Sequence, residues 1–132
     1  MKNCFLSLSF KNRENLNVEI ATIIKVLKDF NFNTNVFVDK YYFGKGEEKK
    51  MMEMSCNDIS ASDLIIAEVS DKAISVGIEV GFAVALKKKV IYIRHLSSEY
   101  SSTIGGIVAN HLVYNNKEDL EKGLNSLLKT LP

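Results

Sequence analysis

The stretch SDLIIAEVSDKAISVGIEVGFAVALKKKVIYI, residues 62–93, decides the fold of this chain. Residues 63–69 and 90–93 are runs of mostly β-branched and other apolar residues, which predict strands buried on both faces. Between them, the segment from Ser75 to Lys88 has the pattern of a helix. Because a buried strand, a helix and a second buried strand in succession are typical of a crossover unit, this stretch predicts a parallel sheet covered by helices.

The same alternation continues toward both ends of the chain. Apolar runs predict three more strands, at residues 3–9, 34–39 and 111–114. Apolar positions at helical spacing predict further helices, starting near Asn15 and covering Met51 to Ser60 and residues 117–131. The sequence therefore predicts an α/β doubly wound sheet of about five mainly parallel strands, with helices on both faces, in a single domain over residues 1–132.

Composition excludes several classes of protein. The chain has 132 residues, is 46% hydrophobic and 25% charged, and has a formal net charge of +1. These values are typical of a soluble globular domain and argue against disorder. A near-zero charge argues against a nucleic-acid polymer or an anionic membrane as partner, because such binders normally carry a basic excess. No apolar run approaches the ~18 residues of a membrane span.

The cysteines and histidines indicate neither a disulfide framework nor a metal site. Cys4 and Cys56 have no CxxC or metal spacing, so we expect two reduced thiols and a cytoplasmic protein. His95 and His111 also lie in no metal-binding pattern. We therefore expect no metal.

Ligands of a doubly wound sheet bind beyond the carboxyl ends of its strands, and the loops there lack the common cofactor motifs. The segment after the first strand, SLSFKNREN, has no glycine, which excludes a G-x-G-x-x-G dinucleotide site. A P-loop is absent as well. Ser7 and Ser9 stand where a response-regulator receiver domain would carry an acidic pair. We therefore expect no cofactor.

One carboxylate is out of place in its helix. From Val76 to Leu86 every residue is apolar or glycine except Glu79, which predicts a helix buried nearly all round with one charge inside it. No cation lies three or four residues away to pair with it. Gly77 and Gly81 suggest that the helix backbone lies close to the sheet or to a ligand.

The position of Glu79 favours a reactive role. We expect it in about the first turn of a helix that starts beyond the carboxyl end of a strand, where the helix dipole favours the ionised form that a nucleophile requires. The alternative is a structural glutamate hydrogen-bonded to a neighbouring strand or subunit.

With these residues, the segment 62–93 resembles the core of the nucleoside 2-deoxyribosyltransferase family, which includes the deoxynucleoside 5'-monophosphate N-glycosidases. The resemblance combines an Asp-led apolar strand ending in Ala-Glu-Val, a short loop, and the motif Gly-x-Glu-x-Gly-x-Ala at Gly77 to Ala83. It implies a flavodoxin-like fold and an enzyme that cleaves N-glycosidic bonds. It also implies a homodimer or higher homo-oligomer with shared active sites.

The family's nucleophile corresponds to Glu79. Its attack on C1' expels the base and gives a glycosyl ester, which a second base or water then resolves. Many members carry an aspartate on the preceding helix, where this chain has Ser55. Asp58, on roughly the same helical face, is our candidate to replace it as a catalytic residue. Glu68 or Asp71, near the exit of the third strand, could instead protonate the leaving base.

The resemblance also implies a set of substrate contacts. Ser9 and Lys11 are expected at a 5'-phosphate, and Ser75 either caps its helix or binds that phosphate. Asp39, Tyr41 and Tyr42 follow the second strand, where family members contact the base. Ser101, Ser102 and Thr103 match a loop that reaches into a neighbouring subunit's site. The predicted substrate-binding residues are Ser7, Ser9, Lys11, Asp39, Tyr41, Glu68, Ser70, Ser75, Gly77, Ser101 and Ser102.

Two other functions stay open from the sequence. The same glutamate could serve a glycohydrolase for ribonucleotides such as CMP, or for NAD. Alternatively, the missing aspartate at Ser55 is consistent with a nucleotide-binding sensor that has lost catalysis. In each case the partner is a small nucleoside or nucleotide.

Overall fold

Five parallel strands form the centre of the computed structural model, which describes residues 1–131. The strands are β1 (Lys2–Leu8), β2 (Phe32–Val36), β3 (Leu64–Glu68), β4 (Lys89–His95) and β5 (Asn110–Tyr114), in the order β2-β1-β3-β4-β5. The order reverses direction between β1 and β3, which places the topological switch point at their carboxyl ends. Position 132, the last of the predicted domain, lies outside the described residues.

Helices cover both faces of the sheet. They are α1 (Asn17–Asp29), α2 (Phe37–Lys40), α3 (Glu48–Ser60), α4 (Ile74–Ala85), α5 (Ser102–Ile107) and α6 (Lys117–Thr130), and a 3-10 helix spans Phe10–Leu16. Apolar residues of α1 and α6 pack on one face of the sheet, while those of α3, α4 and α5 pack on the other. The predicted doubly wound α/β fold is therefore confirmed.

Strand alternation decides which polar side chains can meet. In β1, Leu6 and Leu8 point into the core under α1 and α6, whereas Phe5 points into the core under α3 and α4. Ser7 follows Phe5 by two residues and shares its face. Ser7 is paired with Ala67 and Leu8 with Glu68 in the neighbouring β3. Ser7 and Glu68 therefore lie on opposite faces of the sheet.

The second strand differs from its prediction. The apolar alternation at residues 34–39 predicts a strand to position 39, but β2 ends at Val36 and one helical turn, α2, follows. The turn brings the ring of Phe37 within 5.5 Å of Phe5 and 5.3 Å of Tyr41, centroid to centroid. Packing of this aromatic cluster outweighs the local strand pattern.

The expectation that the glutamate-bearing helix is buried nearly all round is wrong for its outer face. Val76, Val80 and Ala83 of α4 are fully buried, but Ile74 is 85% exposed and Ile78 is 51% exposed. This one chain therefore leaves an apolar strip of α4 uncovered. Over residues 1–131, the model has no helix with both the length and the apolarity to cross a membrane.

Candidate active site

A buried carboxylate held by two serines lies where β1, α3 and α4 meet. The Ser7 hydroxyl donates to Glu79 Oε1 at 2.6 Å, and the Ser55 hydroxyl donates to Glu79 Oε2 at 2.8 Å. Glu79 is 7% exposed, and both serines are almost fully buried. No ion pair to Glu79 is found within residues 1–131. The site therefore holds a carboxyl group through neutral donors alone.

The electrostatic environment of Glu79 differs from the one expected. Glu79 is the sixth residue of α4 and so lies in the second turn, not the first, beyond the strongest influence of the helix dipole. Burial raises its pKa above the ordinary value, and the hydrogen bonds from Ser7 and Ser55 partly oppose that shift. The prediction that the helix terminus favours the ionised form is wrong, because desolvation has the larger effect.

The glycines of α4 do not serve a close approach within the chain. A Cβ built on Gly77 or Gly81 would meet no atom within 4 Å. Packing against the sheet is therefore not the reason for these glycines. Both lie beside the exposed side chain of Ile78, where a ligand or another chain has room to approach.

A second carboxylate lies at the end of β1. The Ser9 hydroxyl donates to Asp71 Oδ2 at 2.7 Å, and Ser9 is 3% exposed. Ser9 lies two residues after Ser7. Ser7 thus holds a carboxylate of α4, and Ser9 holds a carboxylate of the loop that joins β3 to α4.

Asp58 belongs to a separate cluster on α3. It accepts hydrogen bonds from Asn35 Nδ2 at 2.8 Å and from the Tyr41 hydroxyl at 3.1 Å, and Lys40 Nζ lies 3.5 Å away. No hydrogen bond joins Asp58 and Glu79 in the described part of the chain. The catalytic role of Asp58 stays a prediction, and so does the substrate contact of Tyr41, whose hydroxyl already has a partner.

Glu68 points to the other face of the sheet from Glu79. Its carboxylate accepts hydrogen bonds from the Ser70 amide at 2.8 Å, the Ser70 hydroxyl at 2.5 Å and the Tyr114 hydroxyl at 2.7 Å. Burial raises the pKa of Glu68, against the lowering effect of Ser70 and Tyr114. The Ser70 oxygen also accepts from the His95 amide at 2.8 Å. Glu68 and Ser70 thus link β3, β4 and β5 and are not brought together with Glu79.

The remaining predicted residues lie around the same end of the sheet. Lys11 is exposed in the 3-10 helix after β1, and Asp39 accepts two hydrogen bonds from Arg13, at 2.8 and 2.9 Å. Ser75 is exposed in the first turn of α4, but Ala73 is the N-cap residue, so the capping alternative for Ser75 is wrong.

The loop that was expected to reach a neighbouring subunit leads into α5. Ser101 is the N-cap of α5, where its hydroxyl accepts from the Ile104 amide at 3.4 Å, and its own amide donates to the Tyr92 hydroxyl at 2.9 Å. Ser102 is exposed. Ser101 therefore has a structural role in its own chain, whereas the side chain of Ser102 is accessible to a second chain.

Sequence reasoning missed the part that Ser55 plays. The sequence identifies Ser55 only as a departure from the family's aspartate, yet its hydroxyl is one of the two donors to Glu79. The position itself was the available signal, because the resemblance implies a site residue there and a substituted side chain occupies the same place in the fold. No group of three or more metal-ligating side chains is found among the described residues.

Comparisons with known proteins identify relatives of the fold. No family model matches the sequence, and no curated protein matches it. Among solved structures, the CMP N-glycosidase BcmB from Clostridium botulinum has a TM-score of 0.72 at 20% identity, covering 96% of this chain and 99% of that one. A 2-deoxyribosyltransferase from Bacillus psychrosaccharolyticus has a TM-score of 0.70 at 18% identity, covering 96% and 95%.

A third similar structure is a conserved protein from Enterococcus faecalis V583, with a TM-score of 0.70 at 16% identity over 96% of this chain and 99% of that chain. Each likeness extends over nearly the whole of both chains and concerns the fold. The chain therefore has the fold of the 2-deoxyribosyltransferases and nucleotide N-glycosidases, which confirms the resemblance predicted from residues 62–93.

Proposed function

We propose that this protein cleaves the N-glycosidic bond of 2'-deoxynucleosides or their 5'-monophosphates, with Glu79 as the nucleophile. The observation that carries the proposal is the buried carboxylate of Glu79, whose two oxygens are held by Ser7 and Ser55 and which forms no ion pair within residues 1–131. A carboxylate without a neutralising partner is costly to bury. Buried carboxylates of this kind are typical of functional sites, for example where a glycosidase carboxylate attacks an anomeric carbon.

The reaction starts when an ionised Glu79 oxygen attacks C1' and the bond from C1' to the base nitrogen breaks. The developing oxocarbenium character of the sugar is stabilised by the negative charge, which only Ser7 and Ser55 solvate. The product of this step is a glycosyl ester of Glu79. Water or a second base then attacks C1' and returns the carboxylate, so the protein acts as an N-hydrolase or a deoxyribosyltransferase.

The residues around the carboxyl ends of the strands suit a small nucleotide. Lys11 and Ser75 provide a cation and a hydroxyl for a 5'-phosphate, whereas the hydroxyl of Ser9 already donates to Asp71. Asp39 and Tyr41 are our candidates to contact the base. Gly77 leaves room on the outer face of α4, beside Ile78. Ser102, at the start of α5, is exposed and available to a neighbouring subunit. No step requires a metal or another cofactor.

We also propose that the active form is a homodimer or larger homo-oligomer. The uncovered strip of α4 consists of Ile74, Ile78 and Ala85 with Gly77 and Gly81, all apolar or lacking a side chain. An exposed apolar strip of this kind marks an interaction surface. Its place on the helix that carries Glu79 supports a second copy of the chain as the partner that completes the site.

The test is the release of free base, measured by chromatography, from a panel of deoxynucleosides, ribonucleosides and their 5'-monophosphates, with NAD added. Each substrate is incubated with and without an acceptor base, beside the Glu79→Gln variant. We expect release from a 2'-deoxy substrate that the variant loses. Dependence on the acceptor base distinguishes a transferase from a hydrolase.

The same panel tests the alternatives. Release of base from CMP or NAD, but from no 2'-deoxy substrate, would mean that the substrate is a ribonucleotide. CMP is in the panel because one similar structure is a CMP N-glycosidase. No release from any substrate, together with measurable nucleotide binding by calorimetry, would overturn the enzyme and favour the sensor. The serine at position 55, where the family resemblance implies an aspartate, is the observation that keeps the sensor in the comparison.

A further inference from the structure

We propose that Asp71 is the proton donor and acceptor that works with Glu79, an inference that rests on the proposed function. A glycosidase needs a second carboxyl group to protonate the leaving base and then to deprotonate the incoming nucleophile. In this chain the expected position of such a group on α3 is Ser55. The structure provides another carboxylate from the loop that joins β3 to α4.

The two carboxylates are presented in the same way. Ser7 donates to Glu79 at 2.6 Å and Ser9 donates to Asp71 at 2.7 Å. Both serines are buried, at 1% and 3% exposure. Ser9 directly follows β1 and has extended backbone angles, φ −66° and ψ 123°. Residues i and i+2 of a strand point to one face, so the serines aim their hydroxyls at the same side of the sheet.

Strand geometry fixes the scale of the separation. Two residues along a strand span about 6.5 Å, so the points at which the serines hold the carboxylates differ by about that length. In glycosidases that form a covalent intermediate, the two carboxyl groups lie about 5–5.5 Å apart, which is close to this length. A nucleoside can therefore be placed with C1' at Glu79 and its base toward Asp71.

Asp71 is also free to react. Within residues 1–131 its carboxylate accepts one hydrogen bond, at Oδ2, and forms no ion pair. The adjacent Lys72 is held away by Glu99 at 2.9 Å. The other carboxylates near this end of the sheet are less suitable, since Asp58 has three partners and Glu68 faces the opposite side.

Protons and electrons balance in both steps of the reaction. As Glu79 forms its bond to C1', the pair of electrons of the C1'–N bond stays on the base, and the proton of Asp71 moves to the base nitrogen. Asp71 is left as a carboxylate. In the second step it takes a proton from water or from the incoming base as that molecule bonds to C1', and the electrons of the ester bond return to Glu79.

The test uses two substrates that differ only in the need for a proton. Guanine leaves 2'-deoxyguanosine 5'-monophosphate most readily when protonated, whereas the N7-methyl derivative already carries a positive charge and releases a neutral base. Asp71→Asn keeps an oxygen to accept from Ser9 but cannot deliver a proton. In single-turnover experiments, which report the first step alone, we expect this variant to lower guanine release by about 10²- to 10³-fold and to change 7-methylguanine release only slightly.

Matched variants separate this proposal from others. Glu121→Gln removes a surface carboxylate that pairs with Lys25 on the other face of the sheet and should leave both rates unchanged, while Ser9→Ala should show a weaker version of the Asp71→Asn selectivity. Equal loss on both substrates in Asp71→Asn, or the selective loss in Asp58→Asn instead, would overturn the role of Asp71. Failure of the proposed function is distinct, because the wild-type protein would then release neither base.

Discussion

Glu79 and Glu68 are two buried glutamates on opposite faces of one sheet, and they differ in how they are held. Each oxygen of Glu79 accepts one hydrogen bond, from serines of β1 and α3. Glu68 accepts three hydrogen bonds, two of them from Ser70 in its own loop and one from Tyr114. Burial raises the pKa of both.

This difference teaches that a raised pKa alone does not identify a catalytic carboxylate. Glu68 ties the ends of three strands together, and its oxygens are occupied. Glu79 lies on a helix with an uncovered apolar side and keeps lone pairs free for a substrate. The number of hydrogen-bond donors separates Glu68, which accepts three hydrogen bonds, from Glu79, which accepts two and which we propose as the nucleophile.

The largest expected effect is the loss of base release when Glu79 is removed. Glu79→Ala should lower base release by about 10³-fold or more, because the nucleophile is gone. Its free energy of unfolding should fall by about 1–3 kcal/mol, because the buried hydroxyls of Ser7 and Ser55 lose their acceptor while a costly buried charge is removed. Base release and urea denaturation measure the two effects. A folded variant with undiminished release would remove Glu79 from the mechanism.

The opposite pattern is expected at Glu68. Glu68→Ala leaves the Ser70 and Tyr114 donors without their acceptor in a buried region, which should destabilise the protein by about 3 kcal/mol. Tyr114→Phe, which removes one donor, should cost about 1 kcal/mol. Urea denaturation checks both values. Loss of activity without loss of stability in Glu68→Ala would contradict the structural role.

The serine donors offer a sharper test of how Glu79 is held. Ser7→Ala and Ser55→Ala should each lower kcat by about 10- to 100-fold, because hydrogen bonds to charged groups contribute about 1.5–3 kcal/mol. Ser55→Asp places a like charge beside Glu79 and should raise its pKa further. The acidic limb of the pH–rate profile should therefore move to higher pH. An unchanged profile would show that residue 55 does not act on Glu79.

The smallest expected effect is a pH dependence of stability. The pKa of Glu79 is above 4.5 in the folded protein, so the unfolded chain loses this proton first as the pH rises. The free energy of unfolding should then fall through that window and level off above the folded-state pKa. Glu79→Gln lacks this decline, so its stability relative to wild type should grow with pH. Denaturation series from pH 4 to 8 measure the difference.

Much of the fold could be predicted because the sequence pattern is local. The apolar runs at 63–69 and 90–93 correspond to β3 and β4, and the alternation of strands and helices requires the parallel sheet. The end of β2 could not be predicted, because the choice between strand and helix at Phe37 depends on ring contacts with Phe5 and Tyr41. Those contacts join distant segments, which a local pattern does not contain.

The candidate site could be predicted only in part. Glu79 stands out because it is the one charge in an apolar helix, a property that the sequence displays directly. The roles of Ser55 and Ser9 depend on which carboxylate each hydroxyl reaches, and this follows from the packing of α3 and of the β3–α4 loop. The exposure of Ile74 and Ile78 could not be predicted either, since helical spacing does not say whether another element covers a face.

The hydrogen bond between Ser7 and Glu79 joins residues 72 positions apart in the chain. Contacts of such long range form late in folding, because a large loop must close before they contribute. Neither half of the chain can assemble this pair, and a partly folded intermediate in which α4 has not docked on β1 lacks it as well. During refolding, the recovery of base-releasing activity should therefore report when α4 docks on β1. We expect it to be slower than the recovery of the helical circular dichroism signal.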